Sequence, residues 1–111
     1  MNAYEELMNF IPPEEEVLGI VFGKFGWGDF SEPDPPPVPK ELRGKVLTIE
    51  EAKPLMQGWT FETGYGGPDT YAVYAWIETH VIFVTQYDGA TWLEAVPRNP
   101  TGGIMPKMPG G

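Results

Sequence analysis

Cysteine is absent from the 111 residues, and histidine and serine occur once each. Without cysteine there is no disulfide framework, no thiolate nucleophile and no sulfur-ligated metal site. Ser31 stands beside a proline run and His80 at the start of a predicted strand, a poor pairing for a serine, histidine, acid triad. His80 reads as a turn residue bonding locally, and alone it cannot build a histidine-rich metal site. Basic residues are also scarce, with 7 Lys and Arg against 16 Asp and Glu and a formal charge of −9. That balance argues against a general nucleic-acid binder, which needs a basic footprint to displace counterions. It leaves open the opposite role, a decoy for a basic partner surface. The chain has no apolar run of about 18 residues, and MNAYEELMNF has no basic stretch followed by an apolar core. The expectation is a cytoplasmic protein without a membrane segment and with no cofactor.

Proline (13) and glycine (14), by contrast, are abundant and divide the chain into short pieces. Asn2 followed by Glu5 fits a capping box, with Tyr4, Leu7, Met8 and Ile11 on one helical face and Pro12-Pro13 as the stop. Glu16 to Phe22 reads as a buried strand, and the following GKFGWGDF as a bend or loop. Residues 31–40, SEPDPPPVPK, form a proline-rich connector of polyproline II character. Pro36 and Pro39 make a PxxP, but Glu41 stands where an SH3 ligand carries its base, so a stiff surface strap is expected. Thr48 with Glu51 opens a second capped helix containing Pro54, with Gly58 suited to the C′ position. Trp59 to Phe61 starts another strand before the glycine-rich loop GYGGPD. Residues 101–111 form a Gly- and Pro-rich tail. One domain spans 1–111.

Tyr71 to Arg98 carries the most information. Asp88-Gly89 between two alternating runs predicts a two-residue hairpin. The register follows: Tyr87 opposite Ala90, Thr85 opposite Trp92, Phe83 opposite Glu94, and Val81 opposite Val96. A second turn at Glu78-Thr79 pairs Ile77 with His80 and Trp76 with Val81. Val73, Ala75, Ile77, Ile82, Val84, Leu93 and Ala95 then share an aliphatic face suited to a core. Tyr74, Trp76, Phe83, Tyr87 and Trp92 share the other, with Thr85, Glu94 and Arg98 among the rings. A slip of one residue would exchange the two faces. The predicted fold is α+β: an antiparallel meander sheet of four or five strands with two short helices on its aliphatic face.

Five rings are too much apolar area to leave in water, so something covers them. The candidates are the chain's own Phe22, Phe25, Trp27, Phe30 or proline strap, then a second subunit of a homo-oligomer, then a ligand. Aromatic planes stack on bases and arginine holds phosphate bidentately. Tyr74, Trp76, Phe83, Tyr87 and Trp92, with Arg98 for phosphate and Asn99 or Glu94 for polar edges, are therefore the candidate binding residues. Gly23-Lys-Phe-Gly-Trp-Gly and Gly64-Tyr-Gly-Gly-Pro lack the form and following helix of a phosphate loop, and tight turns explain them. The Glu14 to Glu16 run reads as solvated charge.

The series VLTIEEAKPLMQGW, YAVYAW, VTQYDGATWL, VPRNP and the terminal PGG resembles small accessory proteins encoded in bacteriophages and prophages. That resemblance implies a protein acting on host components in the host cytoplasm. Phage proteins of this size inhibit host defence by binding a defence enzyme or by sequestering a nucleotide signal. The expectation is a non-catalytic sponge for a small nucleotide-like ligand, with no enzymatic activity and no nucleic-acid or membrane partner. The alternative is an acidic inhibitor that binds a basic host protein.

Overall fold

Alternation of aliphatic and aromatic residues over Tyr71 to Pro97 produces two hairpins in sequence, and the rest of the chain is arranged around them. The computed structural model describes residues 1–26, 32–61, 64–65, 69–87 and 90–106. Helix α1 is Ala3–Phe10, β1 Gly19–Phe25, α2 Ile49–Met56, β2 Gly64–Tyr65, β3 Tyr71–Trp76, β4 His80–Tyr87 and β5 Ala90–Pro97. One antiparallel sheet holds the strands in the order β1-β3-β4-β5-β2, giving the expected α+β fold. Asp88-Gly89 lies outside the described residues, but the register it implies is present from Tyr87↔Ala90 to Val81↔Val96. The Glu78-Thr79 turn likewise delivers Trp76↔Val81, with the Ile77 amide donating to the His80 carbonyl at 3.0 Å.

Both capping boxes form. The Asn2 and Thr48 side chains accept from the Glu5 and Glu51 amides, and each glutamate reaches back to its cap amide. These bonds satisfy amide groups that the first helical turn leaves without partners. The two helices place Ala3, Leu7, Ala52 and Met56 against Ile20, Phe22, Val73, Ala75 and Ile82, so the core lies on the aliphatic side of the sheet. Pro54 sits inside α2 without ending it.

Several expectations need correction. Met8 is exposed rather than part of the buried face of α1. Strand β1 begins at Gly19, not Glu16, and runs through Gly23 and Lys24 to Phe25. A register shift between Phe22 and Phe25 inserts one extra residue. Strict alternation would turn Phe25 outward; the irregularity returns it to the core side, where it is buried. Trp59 to Phe61 makes only an isolated bridge, Asn2↔Thr60, and a two-residue strand occurs instead at Gly64–Tyr65. Gly58 is not a left-handed cap. A Cβ there would lie 2.9 Å from the Leu55 carbonyl and 3.0 Å from Pro37 Cβ, so glycine serves a close approach of the proline segment.

That segment is also more than a surface strap. Val38 is fully buried, and the Arg43 guanidinium donates to its carbonyl from Nε at 3.3 Å and Nη2 at 3.0 Å. Arg43 pairs with Glu32, which accepts from the Tyr71 hydroxyl, and Arg43 lies 5.1 Å from the centre of the Tyr71 ring. Residues 32–43 are thereby fastened to the start of β3.

Candidate functional site

The face of the sheet away from the helices carries five of the predicted binding residues, Tyr74, Trp76, Phe83, Trp92 and Glu94. Directly opposed residues in an antiparallel sheet share a face. Val21, Tyr74, Phe83 and Glu94 therefore form one row across four strands. Gly19, Trp76, Val81 and Val96 form the next, and Thr85 with Trp92 a third. Tyr74 is 57% exposed, while Trp76, Phe83, Trp92 and Glu94 are half-buried. The Tyr74 and Trp76 rings pack edge to face, with centres 6.1 Å apart and planes at 70°. Tyr87 pairs with Ala90 at the end of the β4–β5 ladder.

Two of the rings expected to cover this surface do not. Phe22 and Phe25 turn to the core, where Phe22 meets Trp59 with centres 5.9 Å apart and Phe25 meets Tyr71 at 5.1 Å. The proline segment packs with them through Val38 and Tyr71. Trp27 and Phe30 lie outside the described residues. Among the described residues, then, the rings of this face are supplied by strands and not by loops.

Arg98 is not beside Trp92 within one chain. Six residues along an extended strand separate them, roughly 20 Å. Its amide donates to the Thr79 carbonyl at 3.0 Å, and Nη1 donates to the carbonyls of Glu78 at 3.2 Å and Ile77 at 3.4 Å. Arg98 thus fastens the β3–β4 turn at the Trp76 end of the face, and Asn99 follows it, exposed. His80 makes the local contact expected of it, with Nδ1 2.9 Å from the Thr79 hydroxyl. That hydroxyl donates to the Glu15 carboxylate at 2.9 Å.

Sequence reasoning missed the second polar cluster, Glu32, Arg43 and Tyr71. Burial is the chief cause pushing the Tyr71 hydroxyl up to about 12, followed by its hydrogen bond to Glu32. The phenol is therefore neutral at ordinary pH and donates to Glu32. This cluster holds the strap, with the part-buried Arg43 and Glu32 side chains turned to each other and to Tyr71. Proline spacing before Arg43 was the only available sign, and it does not specify a partner 28 residues on. A further buried pair, Trp59 Nε1 donating to the Thr70 hydroxyl at 2.9 Å, completes the core's polar contacts at this end.

A cavity of about 10 Å³ between α1, α2 and the sheet, lined by Leu7, Met56, Trp59, Phe61 and Val73, has room for about one water molecule. No group of three or more metal-ligating side chains is assembled among the described residues, and no helix among them is long and apolar enough to cross a membrane. Comparison with protein-family models, curated proteins and solved structures gives no match to this chain. The outer sheet face is consequently the best-defined candidate for function.

Proposed function

We propose that this is a non-catalytic binding protein whose working surface is the outer aromatic face of β3, β4 and β5. The observation that carries the reading is the presence of Tyr74, Trp76, Phe83 and Trp92 on one sheet face outside the core, with Tyr74 57% exposed. Rings held on strands lose little freedom on stacking, and each stacked base contributes about 1–3 kcal/mol. A planar, nucleotide-like ligand suits such a surface, and sequestration of a small nucleotide signal, as by a phage-type anti-defence sponge, is the biological form of the proposal. Trp76, Phe83 and Trp92 offer the stacking planes, Glu94 or Asn99 accepts or donates at polar edges, and Arg98, at the Trp76 end and roughly 20 Å from Trp92 within one chain, takes phosphate after exchanging its turn carbonyls for it.

The test is titration of the protein with a panel of mono-, di- and cyclic nucleotides, read by tryptophan fluorescence and calorimetry. Binding that weakens at least tenfold in Trp92→Ala and in Arg98→Ala supports the assignment. Unchanged retention in both variants rejects it.

A second reading rests on charge near the β3–β4 turn. Glu14, Glu16 and Glu78 are exposed around the Glu15–Thr79 contact, within a chain of net charge −9. Such an acidic end fits an inhibitor that meets a basic protein surface. Its binding would fall steeply with salt and need no small molecule.

A further inference from the structure

The two edges of the sheet are finished differently. At β1, the Ile20 and Leu47 backbones exchange hydrogen bonds of 2.9 and 2.8 Å, and the Gly44 amide donates to the Phe22 carbonyl at 2.8 Å. Gly19 allows this covering segment to come close, since a Cβ there would lie 3.1 Å from Val46. At β5, the described residues of the short β2 pair with Ala90 and Thr91. Among the described residues, no strand meets β5 from Trp92 to Pro97 on that side.

The ladder shows which backbone groups face the open edge. The Arg98 amide donates toward β4, to Thr79, so even-numbered residues of β5 bond to β4 and odd-numbered ones point away. The same parity sends Thr91 to Gly64. Leu93 and Ala95 thus present both N–H and C=O outward. Pro97 presents only its carbonyl, which ends the usable edge.

We propose that this edge pairs antiparallel with β5 of a second copy of the chain, about a two-fold axis at Ala95. In that register Ala95 faces the partner's Ala95, and each exchanges one N–H···O=C bond with the other. The Leu93 amide reaches the carbonyl of the partner's Pro97, and the two-fold axis repeats this bond from the partner's Leu93 amide to the Pro97 carbonyl. Glu94 then faces the partner's Val96, and Trp92 faces the partner's Arg98 on the outer side. An axis at Glu94 would instead set two glutamates directly opposite, which is unfavourable. The segment from Trp92 to Arg98 carries one acid and one base, so it is locally neutral in a chain of net charge −9 and self-complementary under a two-fold. Because the β1 edge is occupied, association closes at two copies instead of running on as a fibre.

The pairing also brings together what one chain keeps apart. Trp92 and Arg98 lie roughly 20 Å apart along one strand but become cross-strand neighbours between copies, roughly 5 Å apart at Cβ. The aromatic and cationic parts of the binding face proposed above are then supplied by different subunits. The dimer itself does not depend on that ligand reading.

The natural absence of cysteine makes a direct test possible. Opposed residues of a hydrogen-bonded pair have Cα atoms about 5.5 Å apart, within disulfide reach. Ala95→Cys under mild oxidation should give a disulfide-linked species of twice the 12.4 kDa chain mass. Its yield should exceed by roughly tenfold that of Val46→Cys, whose side chain is exposed at the opposite edge, because pairing raises the effective thiol concentration. Sedimentation of the unmodified protein should show a concentration-dependent dimer. Ala95→Pro should abolish it with the circular dichroism intact, since only an outward N–H is lost. Equal cross-linking at the two positions, a monomer at all concentrations, or a dimer surviving Ala95→Pro in a folded protein overturns the proposal. If Ala95→Pro fails to fold, the cross-linking comparison decides. None of these measurements involves a nucleotide, so failure of the dimer and failure of ligand binding are read separately.

Discussion

The two faces of the sheet both carry large aromatic side chains, yet they use them in different ways. On the core face, Trp59 and Tyr71 meet edge-on with centres 4.8 Å apart, and Phe22 and Phe25 extend the cluster. Each polar tip there has a partner within the chain: Trp59 donates to Thr70 and Tyr71 to Glu32. On the outer face, Tyr74 and Trp76 also meet edge-on, but Tyr74 remains 57% exposed. Aromatic content therefore does not identify the core of this protein. What distinguishes the core is enclosure by two capped helices and a buried valine from the proline segment, which remove the rings from water.

That difference can be broken by substitution, beginning with the core. Phe22 is fully buried against Trp59, so Phe22→Ala removes ring contacts and leaves a cavity. We expect a loss of about 3–5 kcal/mol, seen as a lower midpoint in denaturant titration. A loss below about 1 kcal/mol would mean that the site collapses around the deletion or is less enclosed than its exposure indicates.

The next effect is a pH dependence confined to the core face. Tyr71 is raised from 10.0 to about 12, so the folded state favours the protonated phenol more than the unfolded chain does. Its contribution is complete below about pH 10 and is lost as the pH rises toward 12. Thermal unfolding of the unaltered protein should therefore show a steeper drop across that interval than Tyr71→Phe, which has no proton to lose. Parallel curves for the two proteins would remove Tyr71 from the alkaline transition.

The smallest expected change is on the outer face. Tyr74→Ser should alter stability by about 0.5 kcal/mol in dilute solution, as for an exposed position. A cost approaching that of Phe22→Ala would show that Tyr74 is covered in solution, and the contrast between the faces would then belong to the isolated chain alone.

Much of this arrangement is legible in the residues because it depends on short-range rules. A two-residue loop sets the β4–β5 register whatever else the chain does, and alternation then assigns Val73, Ala75, Ile77 and Ile82 to the core. Capping boxes are equally local, since their partners are three residues apart. Failures occur where a distant contact overrides the local signal. Phe25 reaches the core only through an irregularity in β1, and Gly58 answers to Pro37 rather than to its own helix. Val38, in a segment that reads as surface, is buried because Arg43, Glu32 and Tyr71 draw it in.

The candidate site divides along the same line. Strand alternation places Tyr74, Trp76, Phe83, Trp92 and Glu94 on a common face, and that grouping holds in the structure. Position along β5 keeps Arg98 away from Trp92 and sets it on the carbonyls of a turn, which no local pattern signals. Face, register and helix ends follow from neighbours a few residues apart, where geometry is set by covalent spacing. Which face stays open, where the strap docks and which sheet edge is left to pair depend on packing between segments tens of residues apart, and only the folded chain brings those segments together.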